Sequence, residues 1–259
     1  QSFMTELYRH IGPDVDVPAG DLGVGSREIG YLYGQYRRIR GAFENGVLTS
    51  KALPIGGSLI RPEATGYGAT YYVCEVFKHE HDSIEGKTFA LSGFGNVVWG
   101  AAKKITELGG KVVTLSGPDG YIYDPDGVSG EKIGYLLEMR SSNRNRVQDY
   151  ADKFGCEFFA GRKPWERKVD VIMPCATQND VNIEEARKIV ANGVKYYIEV
   201  ANMPTTNEAL QYLMQQKNMI VAPSKAVNAG GVATSALEMS QNSMRYNWTA
   251  EEVDAKLHQ

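Results

Sequence analysis

Apolar positions in this chain follow two different periods. Ile29, Leu32, Tyr33 and Tyr36 recur at helical spacing and predict an amphipathic helix over 28–40. From residue 88 onward, short apolar runs at 88–91, 112–115, 169–173, 196–200 and 219–222 predict buried strands. Between them, 96–108, 130–140, 145–154, 183–191, 208–216 and 232–244 read as helices. Pro62 fits the first turn of a further helix running to about residue 80. Residues 1–12 read as a helix tail, 13–25 as a Gly/Pro/Asp loop, 41–60 as irregular chain and 116–130 as a loop; Thr249 opens a last helix. Short apolar strands alternating with helices imply an α/β fold, a mostly parallel sheet with helices on both faces.

Composition narrows the function classes. Apolar residues at 42% and charged residues at 23% are ordinary for a globular protein. A net charge of −3 provides no basic field for general nucleic-acid binding, so no nucleic-acid partner is expected. No apolar run reaches the ~18 residues of a membrane span, and no charged-then-apolar leader is visible. Cys74, Cys156 and Cys175 have no metal-site or CxxC spacing, so the expectation is free thiols in a reducing cytoplasm and no metal. Both ends read as cut through helices. His10, His79, His81 and His258 show no partner pattern, and Trp99 and Trp165 read as packing residues.

The sharpest local motif is Leu91-Ser92-Gly93-Phe94-Gly95-Asn96-Val97-Val98, between a strand and a helix. Gly93 allows a tight turn, Gly95 lets the backbone approach a pyrophosphate, and the helix start offers open amides and a positive dipole end. Val98 replaces the third small residue of the dinucleotide pattern. The second strand ends at Leu115, so Ser116 takes the ribose-sensing position where an acid would favour NAD. Asp119 either bonds the ribose or caps a turn. NAD and NADP both stay open, with a mild lean toward accepting NADP.

Other segments carry candidate chemistry. Asp21 lies in Asp16-Val17-Pro18-Ala19-Gly20-Asp21-Leu22-Gly23-Val24-Gly25, where a stiff loop holds a carboxylate for acid/base work or simply makes a turn. In 224–235, Gly230 and Gly231 permit close ligand approach, Asn228 both donates and accepts, and Ser235 follows one helical turn on; small-residue packing explains the same stretch. Arg61 and Thr65, four apart, would share a helix face toward the cofactor or stay structural. The run Arg140 to Arg146 is a solvated junction or a screen for a cofactor phosphate.

Taken together, the loop at 16–25, Arg61-Pro62-Glu63-Ala64-Thr65-Gly66-Tyr67-Gly68, Gly93-Phe94-Gly95-Asn96-Val97, Pro174-Cys175-Ala176-Thr177-Gln178-Asn179, Glu199-Val200-Ala201-Asn202 and the stretch 228–242 resemble glutamate dehydrogenases of the bacterial hexameric type. The resemblance spans essentially the whole chain. It implies a Rossmann-like doubly wound sheet and reversible, NAD- or NADP-dependent oxidative deamination of L-glutamate to 2-oxoglutarate and ammonia. It makes Asp21 the catalytic carboxylate and has Ser235 bind the side-chain carboxylate of glutamate. Asn228, Thr65 and Arg61 are implied near nicotinamide and substrate, and Gly93, Phe94, Gly95, Asn96 and Val97 around the pyrophosphate. Ser116 and Asp119 are implied at the adenosine ribose, and Cys175, Ala176 and Asn202 on the nicotinamide side. It implies a remnant of the substrate domain over 1–55 and an NAD(P)-binding domain over 56–259, in an enzyme that is a homohexamer at full length. The family's catalytic-lysine segment has no match here, so an inactive fragment is the expectation. Leucine, valine or phenylalanine dehydrogenase is the nearest rival, and Ser235 with Glu238-Met239-Ser240-Gln241-Asn242 favours the glutamate enzyme. A binding module without catalysis is the rival from another class.

Overall fold

Period-two alternation in the strands sorts the apolar side chains onto opposite faces of one sheet. The computed structural model describes residues 1–21, 23–142 and 144–259. Leu22 of the Asp21 loop and Asn143 of the arginine-rich run lie outside the described residues. The helices are α1 (Ser2–Leu7), α2 (Ser26–Arg40), α3 (Ala64–His79), α4 (Asn96–Glu107), α5 (Glu131–Ser141), α6 (Gln148–Phe154), α7 (Ile183–Ala191), α8 (Asn207–Met214), α9 (Ser224–Val227), α10 (Gly230–Met244) and α11 (Ala250–His258). The strands are β1 (Thr88–Leu91), β2 (Lys111–Gly117), β3 (Gly120–Tyr123), β4 (Glu157–Ala160), β5 (Val171–Met173), β6 (Tyr196–Ile198) and β7 (Ile220–Ala222). They fall into two compact units, Gln1–Ala64 with Gly231–Gln259, and Thr65–Gly230.

The second unit holds the sheet, in the order β4-β3-β2-β1-β5-β6-β7. Its pairs from β2 through β7 are parallel, while β3 runs antiparallel to both β2 and β4. Phe89, Leu91, Val171, Met173, Tyr196 and Ile198 join the core under α3, α4, α5 and α6. Their neighbours Ala90, Ile172 and Tyr197 point the other way, into the core of Trp165, α7 and α8. A strand buried on both faces has no polar side to show, which is why these runs read as continuous apolar stretches. Helices α3 and α4 meet almost backbone to backbone. A Cβ at Gly66 would lie 2.2 Å from the Ala101 nitrogen, so only glycine fits there.

The expected strands and long helices form, and two further strands appear. Pro118-Asp119 is the two-residue link that folds β3 back on β2, inside the stretch read as a loop. β4 closes that edge, with Tyr121 stacked on Phe159 at 4.9 Å between centroids. The turn chemistry of Gly117 to Gly120 was visible in sequence. The strands beyond it are only four residues each, too short to show a period.

The first unit packs Ile29, Tyr33 and Tyr36 of α2 against Met4 of α1 and against Val47 and Leu48. Its polar interior is as ordered as its apolar one. Ser235, Glu238, Gln241 and Asn242 of α10 are all buried. Arg61 Nε donates to Ser235 Oγ at 2.8 Å, Gln241 Nε2 donates to Ser58 Oγ at 2.8 Å, and Asn242 Nδ2 donates to the Gly56 carbonyl at 2.7 Å. One face of α10 is thus matched group for group by the segment 48–61.

Candidate functional site

Strand order reverses between β1 and β5. β1 is followed by β2 on one side, and β5 with its successors lies on the other. A crevice forms beyond the carboxyl ends of strands where such a reversal occurs, because the connecting chains depart in opposite directions. A cavity of about 840 Å³ occupies that place. Its lining includes Gly93, Phe94 and Gly95 after β1, Ser116 and Gly117 at the end of β2, and Ala176 to Asp180 after β5.

The glycine turn is built as its residue types require. Gly93 has φ +90°, a conformation that L side chains rarely adopt. Its amide donates to Ser116 Oγ at 2.9 Å, and the Ser116 amide donates to the Gly93 carbonyl at 3.2 Å. Gly95 is the N-cap of α4, nothing would obstruct a Cβ there, and no side chain caps the helix. Gly95 lines the cavity, and the first-turn amides of α4 that follow it carry no side-chain cap. The N–H of Gly93 serves Ser116, in keeping with its expected role in the turn.

Asp119 has a different occupation from the ribose. Its carboxylate oxygens accept from the Val147 and Gln148 amides, each at 3.0 Å, and its carbonyl accepts from Gly161 at 2.8 Å. Of the two roles open in sequence, the turn-and-cap role is the one made. Arg140 lines the cavity at the end of α5. It is half-buried, burial pulls its guanidinium pKa down, and among the described residues no carboxylate is paired with it. Lys163 and Arg162 line the cavity too, but are engaged with Asp180 and Glu166 respectively. Sequence reading missed these two because nothing local marks β4 and its exit loop as part of a site.

Elsewhere in this unit, Asn228 Nδ2 donates to Asn202 Oδ1 at 2.7 Å, joining two residues that sequence assigned to one site. Cys175 is buried, its amide donates to Ser92 Oγ at 3.1 Å, and burial pushes its thiol pKa well up, so it is a packing thiol and not a nucleophile. Thr65 lies in the first turn of α3, and Asn96 and Val97 open α4. Glu199 is buried, with Oε1 accepting from Thr205 Oγ1 at 2.6 Å and Oε2 from the Ser224 amide at 3.3 Å, which ties α9 to the end of β6.

In the first unit, Asp21 sits on an exposed loop, its carbonyl accepting from the Val24 amide at 2.8 Å. Arg61 lies in the turn ahead of α3, not on it, so the shared helix face expected with Thr65 does not form. Instead Arg61 is bonded to Ser235. Burial lowers the Arg61 pKa, against the opposing pull of Glu238. Among the described residues no helix is long and apolar enough to cross a membrane, and no cluster of metal-ligating side chains is found.

The strand order and its crevice define a Rossmann-like, doubly wound α/β protein. A family model described as Glutamate/Leucine/Phenylalanine/Valine dehydrogenase matches residues 56–259, and one described as the Glu/Leu/Phe/Val dehydrogenase dimerisation domain matches residues 1–38. The chain belongs to the Glutamate/Leucine/Phenylalanine/Valine dehydrogenase family. It is 76% identical over 260 residues to an NAD-specific glutamate dehydrogenase of Clostridium symbiosum, covering 100% of this chain and 58% of that one. It is 51% identical over 258 residues to an NADP-specific glutamate dehydrogenase of Haemophilus influenzae, covering 100% of this chain and 57% of the relative. A solved glutamate dehydrogenase superposes with a TM-score of 0.98 at 76% identity, over 99% of this chain and 57% of that one. The chain thus spans somewhat over half the length of these relatives.

Proposed function

We propose that this chain is the nucleotide-binding portion, with the end of the substrate domain, of a glutamate dehydrogenase that uses NAD or NADP. The domains are 1–55 and 56–259. The observation that carries the reading is the Gly93–Gly95 turn and uncapped α4 opening on a cavity at the strand-order reversal. The residues there suit a dinucleotide. Open amides and the helix dipole favour a pyrophosphate, the space beside Gly95 admits it, and the cavity volume is within the usual range for a small-molecule site.

In this reading Gly95, Asn96 and Val97 hold the pyrophosphate, while Gly93 and Phe94 shape the turn. Ser116 stands at the ribose, and Asp119 supports that wall without touching it. Ala176 lines the crevice, Cys175 packs behind it, and Asn202, Asn228 and Thr65 serve the nicotinamide end. Asn228 also bonds substrate. The bound dinucleotide supplies the hydride acceptor. Asp21 takes and returns protons at the substrate nitrogen, held by a loop whose Pro18 carbonyl accepts from the Thr49 amide at 3.0 Å. Ser235 and Arg61 together offer a hydroxyl and a half-buried cation for the side-chain carboxylate of glutamate, which a leucine-type pocket has no use for. At full length the enzyme is a cytoplasmic homohexamer.

The test is turnover of glutamate against leucine by the full-length enzyme, with NADH and NADPH titrated in parallel. Preference for glutamate and saturable dinucleotide binding are expected. Leucine used as well as glutamate, or no binding of either dinucleotide, refutes the reading.

A further inference from the structure

The first unit holds a charge pair with no exposed side-chain surface. Lys51 Nζ and Glu238 Oε1 are 2.6 Å apart, with both side chains wholly buried. Every proton of the ammonium is used: it also donates to Asn242 Oδ1 at 2.9 Å and to the Leu48 carbonyl. The carboxylate is as fully engaged. Glu238 Oε2 accepts from the Ser50 amide at 3.0 Å, and Oε1 accepts from the Lys51 amide at 3.3 Å. Burying two charges is unfavourable unless geometry and hydrogen bonds are complete, and an apolar pair often stabilises as well or better. Stability is therefore a weak reason for this pair.

Its connections suggest a stronger one. Glu238 is one helical turn beyond Ser235 on the same face of α10. Its other end grips the backbone of Ser50 and Lys51. Ser50 has φ +65°, a strained conformation for a side-chain-bearing residue, held where Glu238 takes its amide. Its neighbour Thr49 bonds Pro18, and a Cβ at Gly20 would come within 3.0 Å of Ser50 Cβ, so the Asp21 loop rests on this same peptide. A continuous line of contacts runs from Ser235 through Glu238 and the 49–51 backbone to the loop of Asp21.

We propose that Lys51 and Glu238 are positioning residues, which hold the Asp21 loop in register with Ser235 so that a substrate anchored at one is in reach of the other. The inference rests on the reading that Asp21 and Ser235 serve glutamate. Neither Lys51 nor Glu238 touches substrate in this scheme. They act through the strained peptide at Ser50.

The experiment compares the full-length enzyme with the apolar double variant Lys51→Met/Glu238→Leu and with Glu238→Gln. Amide exchange over residues 16–25 reads the loop without needing turnover, and kcat, KM for glutamate and dinucleotide Kd are measured beside it. Loss of the strut is expected to speed exchange in the loop about tenfold. It should lower kcat for glutamate about a hundredfold, the size of effect a 1 Å misplacement produces, while dinucleotide Kd stays within about twofold. Glu238→Gln keeps an acceptor for the backbone amides and should fall between. Unchanged loop exchange overturns the proposal, and so does faster exchange with kcat intact. If every variant loses dinucleotide binding along with activity, the pair serves stability and the proposal fails. A wild-type enzyme that binds dinucleotide but turns over no glutamate would defeat the functional reading instead, and the exchange data would still decide the strut.

Discussion

Gly93 and Ser116 are bonded to each other twice, amide to hydroxyl at 2.9 Å and carbonyl to amide at 3.2 Å. The turn after β1 is thereby fastened to the end of β2, and neither can shift without moving the other. Ser116 is a structural tie whatever it meets in the cavity.

Replacing Ser116 with alanine leaves the Gly93 amide without its acceptor, a penalty of about 1–3 kcal/mol. In the proposed reading the turn serves the part common to both dinucleotides, so NADH and NADPH should weaken by the same factor, about tenfold. Fluorescence titration of the variant checks this. A change confined to one dinucleotide would mean that Ser116 reads the ribose directly.

Arg140 is a half-buried cation lining the cavity, with no paired carboxylate among the described residues, and a phosphate would relieve its desolvation. Arg140→Gln should weaken NADPH by about tenfold and NADH by less than about threefold, equivalent to a difference near 1 kcal/mol. The NADPH affinity of the wild type should also fall more steeply with salt. Equal losses for both would place Arg140 away from the 2′-phosphate.

Asp119→Ala removes the acceptor for the first amides of α6 and should cost about 1 kcal/mol, as loss of a helix cap does. In a chain of this size that corresponds to a melting temperature lower by about 2–4 °C. Calorimetry measures it. An Asp119 that served the ribose alone would leave the melting temperature unmoved.

Tyr121 predicts an alkaline limb of stability. Burial, then its hydrogen bond to Glu166 at 2.5 Å, pushes its phenol up to about 12 from 10.0. With the folded value above the unfolded one, the folded chain holds the proton more tightly. The contribution is complete below pH 10 and is lost as pH rises from about 10 to about 12. Denaturant midpoints of wild type and Tyr121→Phe across that interval should differ in slope, and parallel curves would contradict the assignment.

Local chemistry explains how much of this was legible in advance. The helices α7 and α11 are announced by Asn182 and Thr249, each of which completes a capping box with the glutamate three residues on. The Gly93 turn is legible because only glycine accepts its backbone angle. By contrast β3 and β4 were missed, and Asp119 and Arg61 kept two meanings each. An aspartate beside a turn looks the same whether it caps a helix or meets a sugar. The partner amides, at 147 and 148, are chosen by the packing of α6 on the sheet edge.

The sequence by itself determined the alternation of strand and helix, the glycine turn and the family, since each is written in neighbouring residues whose propensities act over a few positions. Tertiary structure decided which side chains meet. Lys51 and Glu238 are 187 residues apart, and neither carries a local sign of the other. The physical reason is that burial turns a weak, solvent-screened attraction into a strong and exclusive one, and burial is a property of the folded chain.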